Sequence, residues 1–228
     1  TDANGCKNTA TTNVYVRQLP KVTTTGNTAI CINDSAYIGA NGAVSYSWSP
    51  ANGIKDVKEK VMYVNPTATT NYAVTGTDEY GCKAKKTLKV TVYPLPVVSI
   101  TKDTNICFGK TINMSATGGD KYYWLPAEGL NKSNVSNPKA NPTVNTTYTV
   151  TVIDSNTCVN TASVKVFVNP LPVAKAGDDA TICQGGKTQF VGGGGYSYKW
   201  APVATLDNAN IMNPFASPTV NTVYRVSV

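Results

Sequence analysis

Two series of cysteines, Cys6, Cys82, Cys158 and Cys31, Cys107, Cys183, advance by the same 76 residues along a chain of 228. Trp48, Trp124 and Trp200 keep that step, as do Tyr72, Tyr148 and Tyr224. Pro20, Pro96 and Pro172 keep it too, each preceded by Leu, and no insertion or deletion breaks the period. Self-similarity at a fixed period restricts the chain to an array of like units, each meeting chiefly its neighbours. A unit of this size buries one modest core, so each is expected to organise around its own tryptophan.

The boundaries follow from the prolines. Leu-Pro at 19–20, 95–96 and 171–172 comes after strand-like runs such as Leu88-Lys89-Val90-Thr91-Val92 and Val164-Lys165-Val166-Phe167-Val168. Proline cannot donate to a strand ladder, and Pro-Leu-Pro favours a stiff extended connection. The expected division is therefore 1–19 as the last strand of a preceding repeat, 20–95 and 96–171 as whole repeats, and 172–228 as a repeat without its last strand. Val14-Tyr15-Val16 is the strand-like run of the first piece. Within a repeat, turns at Asp103, Phe108-Gly109-Lys110 and Gly118-Gly119-Asp120 separate about seven short strands. Thr147–Ile153 alternates most clearly. Turn signals at this spacing predict an all-β sandwich, with Trp48, Trp124, Trp200, Tyr72, Tyr148 and Tyr224 in the cores.

Composition narrows the chemistry. The chain has no histidine, which removes the commonest general base, the commonest metal ligand and every Ser-His or Cys-His nucleophile pair. No nucleophile, base and oxyanion donors are marked out by position, so no enzyme is expected. No apolar run reaches the ~18 residues of a membrane span, and residues 1–6 do not read as a signal peptide. The net charge of +7 is scattered, without a nucleic-acid recognition motif. Six cysteines in a repetitive β chain read as disulfides in an oxidising, extracellular setting. Zinc is not expected, because no Cys-x-x-Cys pair occurs.

The segments Val173–Asp179, Tyr196-Ser197-Tyr198-Lys199-Trp200-Ala201-Pro202, Tyr148–Asp154 and Asp78-Glu79-Tyr80-Gly81-Cys82 together resemble the PKD-like, Ig-type domain. The paired elements Ile182-Cys183-Gln184-Gly185 and Gly5-Cys6 or Gly81-Cys82 resemble the variant in large secreted surface proteins of Bacteroidota, the SprB-type gliding-motility adhesins exported by type IX secretion. Thr157, where glycine is expected, and Asn105-Ile106-Cys107-Phe108 depart from that pattern. The resemblance implies tandem PKD-like sandwiches in an extended array at the cell surface. Its topology puts the first cysteine at a domain's far end and the second at its near end. It therefore favours an inter-domain bond, Cys31 to Cys158, over the intra-domain pairs Cys31 to Cys82 and Cys107 to Cys158. Both schemes remain open, with Cys6 and Cys183 paired beyond these residues.

Other candidate sites have plainer readings. Asp2, Asp78 and Asp154 recur with the period; calcium would need several converging oxygens, and an Asx turn explains the recurrence more simply. Asp178-Asp179 reads as a solvated turn. Gly192–Gly195 lacks the Lys-Ser/Thr of a phosphate loop and reads as the turn before the Trp strand. Tyr46, Tyr122 and Tyr198, two residues before each Trp, could stack on sugars, but period-two spacing puts them on the core face. Lys83, Lys85, Lys86 and Lys89 read as an edge-strand guard, with an anionic surface as the alternative partner. Asp34-Ser35-Ala36 resembles the short Bacteroidota O-glycosylation acceptor at Ser35.

The leading expectation is a non-catalytic structural segment of a long extracellular filament or adhesin, without a cofactor, whose partners are neighbouring repeats and a polysaccharide or solid surface. The alternative is a carbohydrate-binding module of a secreted multidomain protein. Head-to-tail self-assembly would follow if residues 1–18 of one chain supplied the strand missing beside 172–228 of another.

Overall fold

The computed structural model describes all 228 residues, and every regular element is a strand. The first unit contains β1 (Thr23–Thr24), β2 (Thr28–Cys31), β3 (Ala36–Asn41), β4 (Ser45–Ser49), β5 (Val61–Val64), β6 (Thr70–Thr77) and β7 (Lys83–Tyr93). They form two sheets, ordered β1-β3-β5 and β2-β7-β6-β4. The second unit contains β8 (Ser99–Ile100), β9 (Thr104–Cys107), β10 (Ile112–Asn113), β11 (Ala116–Thr117), β12 (Lys121–Leu125), β13 (Lys139–Ala140), β14 (Thr146–Ile153) and β15 (Val159–Asn169). Its larger sheet, β12-β14-β15-β9, repeats the first unit's order. Its smaller layer is broken into the pairs β8-β11 and β10-β13. The break has a cause in the sequence: Ile38 pairs with Met62 in the first unit, whereas Pro138 stands one period after Met62 and has no N–H to give.

The alternation of β6 and β14 builds the cores. Tyr72 and Val74, like Tyr148, Val150 and Val152, face inward and are fully buried. Trp48 packs in one cluster and Trp124 in the other. Each indole Nε1–H donates to the backbone oxygen eleven residues on, at Glu59 (2.9 Å), Val135 (2.8 Å) and Ile211 (3.0 Å) for Trp48, Trp124 and Trp200. That bond allows a buried polar atom to stay satisfied at the core's centre. The Tyr72 hydroxyl donates to Asn52 O at 2.6 Å, and the Tyr148 hydroxyl to Glu128 O at 2.9 Å.

The third unit is less complete. It holds β16 (Thr188–Gln189), β17 (Lys199–Ala201), β18 (Phe215–Ala216) and β19 (Arg225–Ser227), in the pairs β16-β18 and β17-β19. Residues 180–183, which correspond to β2 and β9, form no strand, because those strands pair only with the last strand of their unit. A groove of about 660 Å³ between Ile182-Cys183 and Val223-Tyr224 marks the place β7 and β15 fill elsewhere. Tyr224, expected in a core, is consequently only half-buried, with its hydroxyl bonded to Thr205 Oγ1. Val14-Tyr15-Val16 likewise forms no strand and is exposed, having no ladder partner.

Glycine is required at one recurring turn. Gly42, Gly118 and Gly194 all have positive φ (92°, 112° and 94°) just before the Trp-bearing strand. A Cβ on Gly118 would stand 2.1 Å from Val97 O. Gly118→Ala should therefore destabilise the second unit by about 2 kcal/mol, from left-handed strain and the clash together, read as a lower urea midpoint.

Burial raises the phenol pKa of both Tyr72 and Tyr148 above the usual 10.0; for Tyr148 the Glu128 carboxylate adds to the effect. The native state then keeps protons that the unfolded chain loses. Stability should be indifferent to these groups below about pH 10 and fall as pH rises beyond it. Tyr148→Phe should flatten that alkaline limb relative to the unmodified protein in denaturation series from about pH 8 to about pH 11.

Candidate functional site: the junction between units

The chemistry-bearing residues meet where the first unit hands over to the second. β2 runs parallel to the outgoing end of β7, with Thr28 opposite Val90 and Cys31 opposite Tyr93. Ile32 N donates to Tyr93 O at 2.8 Å, and Asp34 N to Cys31 O at 3.0 Å. This places Cys31 on the exit face of the first unit, beside the strand that leaves it.

The facing turn belongs to the second unit. Asp154 Oδ1 accepts from Asn156 N and Cys158 N, both at 2.9 Å, and Thr157 N donates to Asp154 O at 3.0 Å. The turn delivers Cys158 to the entrance face, immediately before β15. The two sulfurs are joined: S–S is 2.00 Å, Cα–Cα is 5.5 Å, and the bond closes 127 residues. Cys158 is fully buried. Asn160 Nδ2 adds a hydrogen bond to Pro96 O at 3.0 Å, tying β15 to the linker.

The intra-domain pairs are not formed: Cys82 and Cys107 are bonded to no other cysteine among these 228 residues. Cys31 lies at the exit end of its unit and Cys82 at the entrance end, with the 11 residues of β7 between them. That strand spans ~37 Å, whereas a disulfide tolerates only about 7 Å between Cα atoms. Cys6 and Cys183 are exposed and likewise bonded to no other cysteine of the chain.

Two residues at the joint were legible only as irregularities. Asn33 (φ 76°) and Thr157 (φ 66°) are the chain's non-glycine residues with positive φ, and both sit beside the bonded cysteines. The corresponding positions in the other turns are Gly109 and Gly185 for Asn33, and Gly5 and Gly81 for Thr157. Asn tolerates this region, but a β-branched Thr is strained there. Asn33 and Thr157 thus mark the joint in sequence as departures from glycine. A small cleft of about 350 Å³ lies between the units, with Cys31, Asp34, Ser35 and Tyr93 on one side and Asn156 and Thr157 on the other. Asn160 had no advance signal, since the equivalent position is Ala84 in the first unit.

The remaining candidates resolve as follows. Asp2, Asp78 and Asp154 each accept two backbone N–H groups on Oδ1, the Asx turn expected from the recurrence. No group of three acidic, cysteine or histidine side chains converges anywhere, and Asp178 and Asp179 are exposed. The hydroxyls of Tyr46, Tyr122 and Tyr198 donate to Ala43 O, Gly119 O and Gly195 O; Tyr46 is buried, and Tyr122 and Tyr198 are half-buried. Lys83, Lys85, Lys86 and Lys89 are exposed on β7. β7 is an edge strand only over that stretch, because β2 pairs with it from Val90 onward. Ser35 is exposed at the rim of the cleft.

No known family profile matches the chain, and no curated protein does. Solved structures with a similar arrangement include the fibronectin(III)-like modules of Clostridium thermocellum CbhA, at 14% identity over 65% of this chain and 94% of that one, TM-score 0.33. The N-terminal eight Ig domains of Down Syndrome Cell Adhesion Molecule align at 12% identity over 88% of this chain and 31% of that one, TM-score 0.38. Sidekick-1 immunoglobulin domains 1–5 align at 11% identity over 90% and 54%, TM-score 0.35. The two-sheet units themselves make the architecture one of tandem Ig-like β-sandwiches.

Replacing both bonded cysteines, Cys31→Ser with Cys158→Ser, should lower stability against urea by up to about 5 kcal/mol, the chain-entropy value for a loop of this length. The single variants should lose as much, since either one breaks the bond.

Proposed function

We propose that the chain is a tension-carrying, non-catalytic segment of an extracellular filament or cell-surface adhesin. Its repeats run 20–95, 96–171 and 172–228, with 1–19 as the last strand of a preceding one. The observation that carries this reading is the Cys31–Cys158 bond across a junction between units. Such a bond activates no substrate. It fixes one unit against the next and belongs to an oxidising compartment. The PKD-like resemblance extends the reading to a Bacteroidota gliding-motility adhesin exported by type IX secretion, with a polysaccharide or solid surface as its counterpart. Ser35, exposed beside the joint, is the place for an O-linked glycan, visible as added mass on its native peptide.

Head-to-tail joining is the further assembly mode: residues 1–18 of one chain would fill the groove beside Tyr224 of another. Denaturing electrophoresis of native material decides it. A chain near 24.1 kDa supports exchange, and a far larger one refutes it.

A carbohydrate-binding reading has one observation in its favour. Tyr37 and Tyr63 are both exposed, with ring centroids 5.4 Å apart on the outer face of β3 and β5. A glycan array combined with electron microscopy separates the two. The filament reading expects silence on the array and straight unbranched rods. Selective binding lost in Tyr37→Ala would move the function to the binding module.

A further inference from the structure

The bond at the joint changes which part of the chain carries tension. Cys31 follows Cys6 by 25 positions, and Cys183 follows Cys158 by 25. A pull applied at the ends runs from the N-terminal segment to Cys31, crosses the sulfurs to Cys158, and continues along β15. Residues 32–157, between the bonded cysteines, lie off that path. They include β3 to β7 of the first unit and β8 to β14 of the second, and with them most of both cores.

The same geometry is prepared at the outer ends. Cys107 stands opposite Asn169 as Cys31 stands opposite Tyr93, and Phe108 N donates to Asn169 O at 2.8 Å as Ile32 N does to Tyr93 O. Lys110 N bonds to Cys107 O as Asp34 N does to Cys31 O, both at 3.0 Å. Cys107 is exposed on the exit face of the second unit. On the entrance face of the first, Cys82 N donates to Asp78 Oδ1 at 2.8 Å, the arrangement that holds Cys158. Cys107 is thus a copy of a cysteine seen bonded, and so is Cys82.

We infer that the disulfide is a tension shunt, and that Cys82 and Cys107 are the attachment points through which the same bond reaches a preceding and a following repeat. The inference rests on the tension-carrying reading of the array. With every such bond made, the covalent graph has two parallel strands. One passes through Cys6, Cys31, Cys158 and Cys183, and the other through Cys82 and Cys107. The segments from Cys31 to Cys82 and from Cys107 to Cys158 become rungs between them. Each strand needs 25 residues and one cystine to advance two repeats. Fully extended, 25 residues reach ~85–90 Å. Two strands of the length of β15 already span ~75 Å folded. An array so joined stays close to its folded length even if its cores unfold, and one broken peptide bond in a rung leaves it whole. Each bond forms when a pair of thiols gives two electrons and two protons to a disulfide oxidant, through a mixed disulfide, leaving that oxidant as a dithiol.

Single-molecule pulling of the 228-residue protein through its two ends tests the shunt. The oxidised protein, fully unfolded, should be about 440 Å shorter in contour than the same molecule after reduction, the reach of the clamped loop at ~3.5 Å per residue. Equal lengths would overturn the shunt while leaving rod images and array silence, and hence the filament reading, untouched. Reduction in place avoids dependence on a variant that fails to fold. For the attachment points, native material is alkylated before and after reduction. Cys82 and Cys107 should resist the first treatment and appear in peptides crosslinked to another repeat's Ile-Cys or Gly-Cys element. Free thiols at either, in material where Cys31–Cys158 is intact, would overturn their assignment.

Discussion

The parallel pairing of each unit's second strand with the end of its last strand underlies the whole arrangement. β2 contributes only four residues, yet its alignment with Val90–Tyr93 brings an exposed turn to the face where the chain leaves the sandwich. Without that pairing Cys31 would have no fixed place, as residues 180–183 illustrate: with no last strand beside them they are irregular. The ladder is also what positions the opposing cysteine. β15 begins directly after the Asx turn, so the residue that closes the turn is the first to meet the preceding unit. A weak local element, made obligatory by its neighbour, thus sets the covalent connection between units.

The division of labour within a unit follows from this. The Trp and Tyr cores hold each sandwich together by burial and by a small set of recurring hydrogen bonds, and they are nearly interchangeable between repeats. The ends differ more. Asn33 and Thr157 replace glycine only where two turns meet across a bond, and Asn160 reaches the linker only in the second unit. Sequence drift is thus tolerated within the smaller sheet, where buried Pro138 breaks a strand while Met114, Ala116 and Ala140 stay in the core, and the faces that meet carry their own local solutions.

Much of this was legible in the residues. The period, the sandwich strands, the inward Trp and the turn role of Asp78 and Asp154 all follow from spacing and propensity, because they are local or repeat with the chain. Tyr224 and Val14–Val16 were less legible. Their patterns are those of a core tyrosine and a strand, but burial and laddering need a partner that the pattern does not supply. The Lys83–Lys89 stretch was half legible for the same reason: a strand can be edge along part of its length and interior along the rest.

By itself the sequence determined the repeat, the all-β units and the pool of cysteines, since periodicity and side-chain alternation are properties of the chain alone. It left two pairings of those cysteines open. Only the tertiary structure decided between them, because the choice depends on which ends of which strands lie within about 7 Å of each other. A strand of 11 residues separates the cysteines of one unit, and a turn-to-turn contact unites those of two.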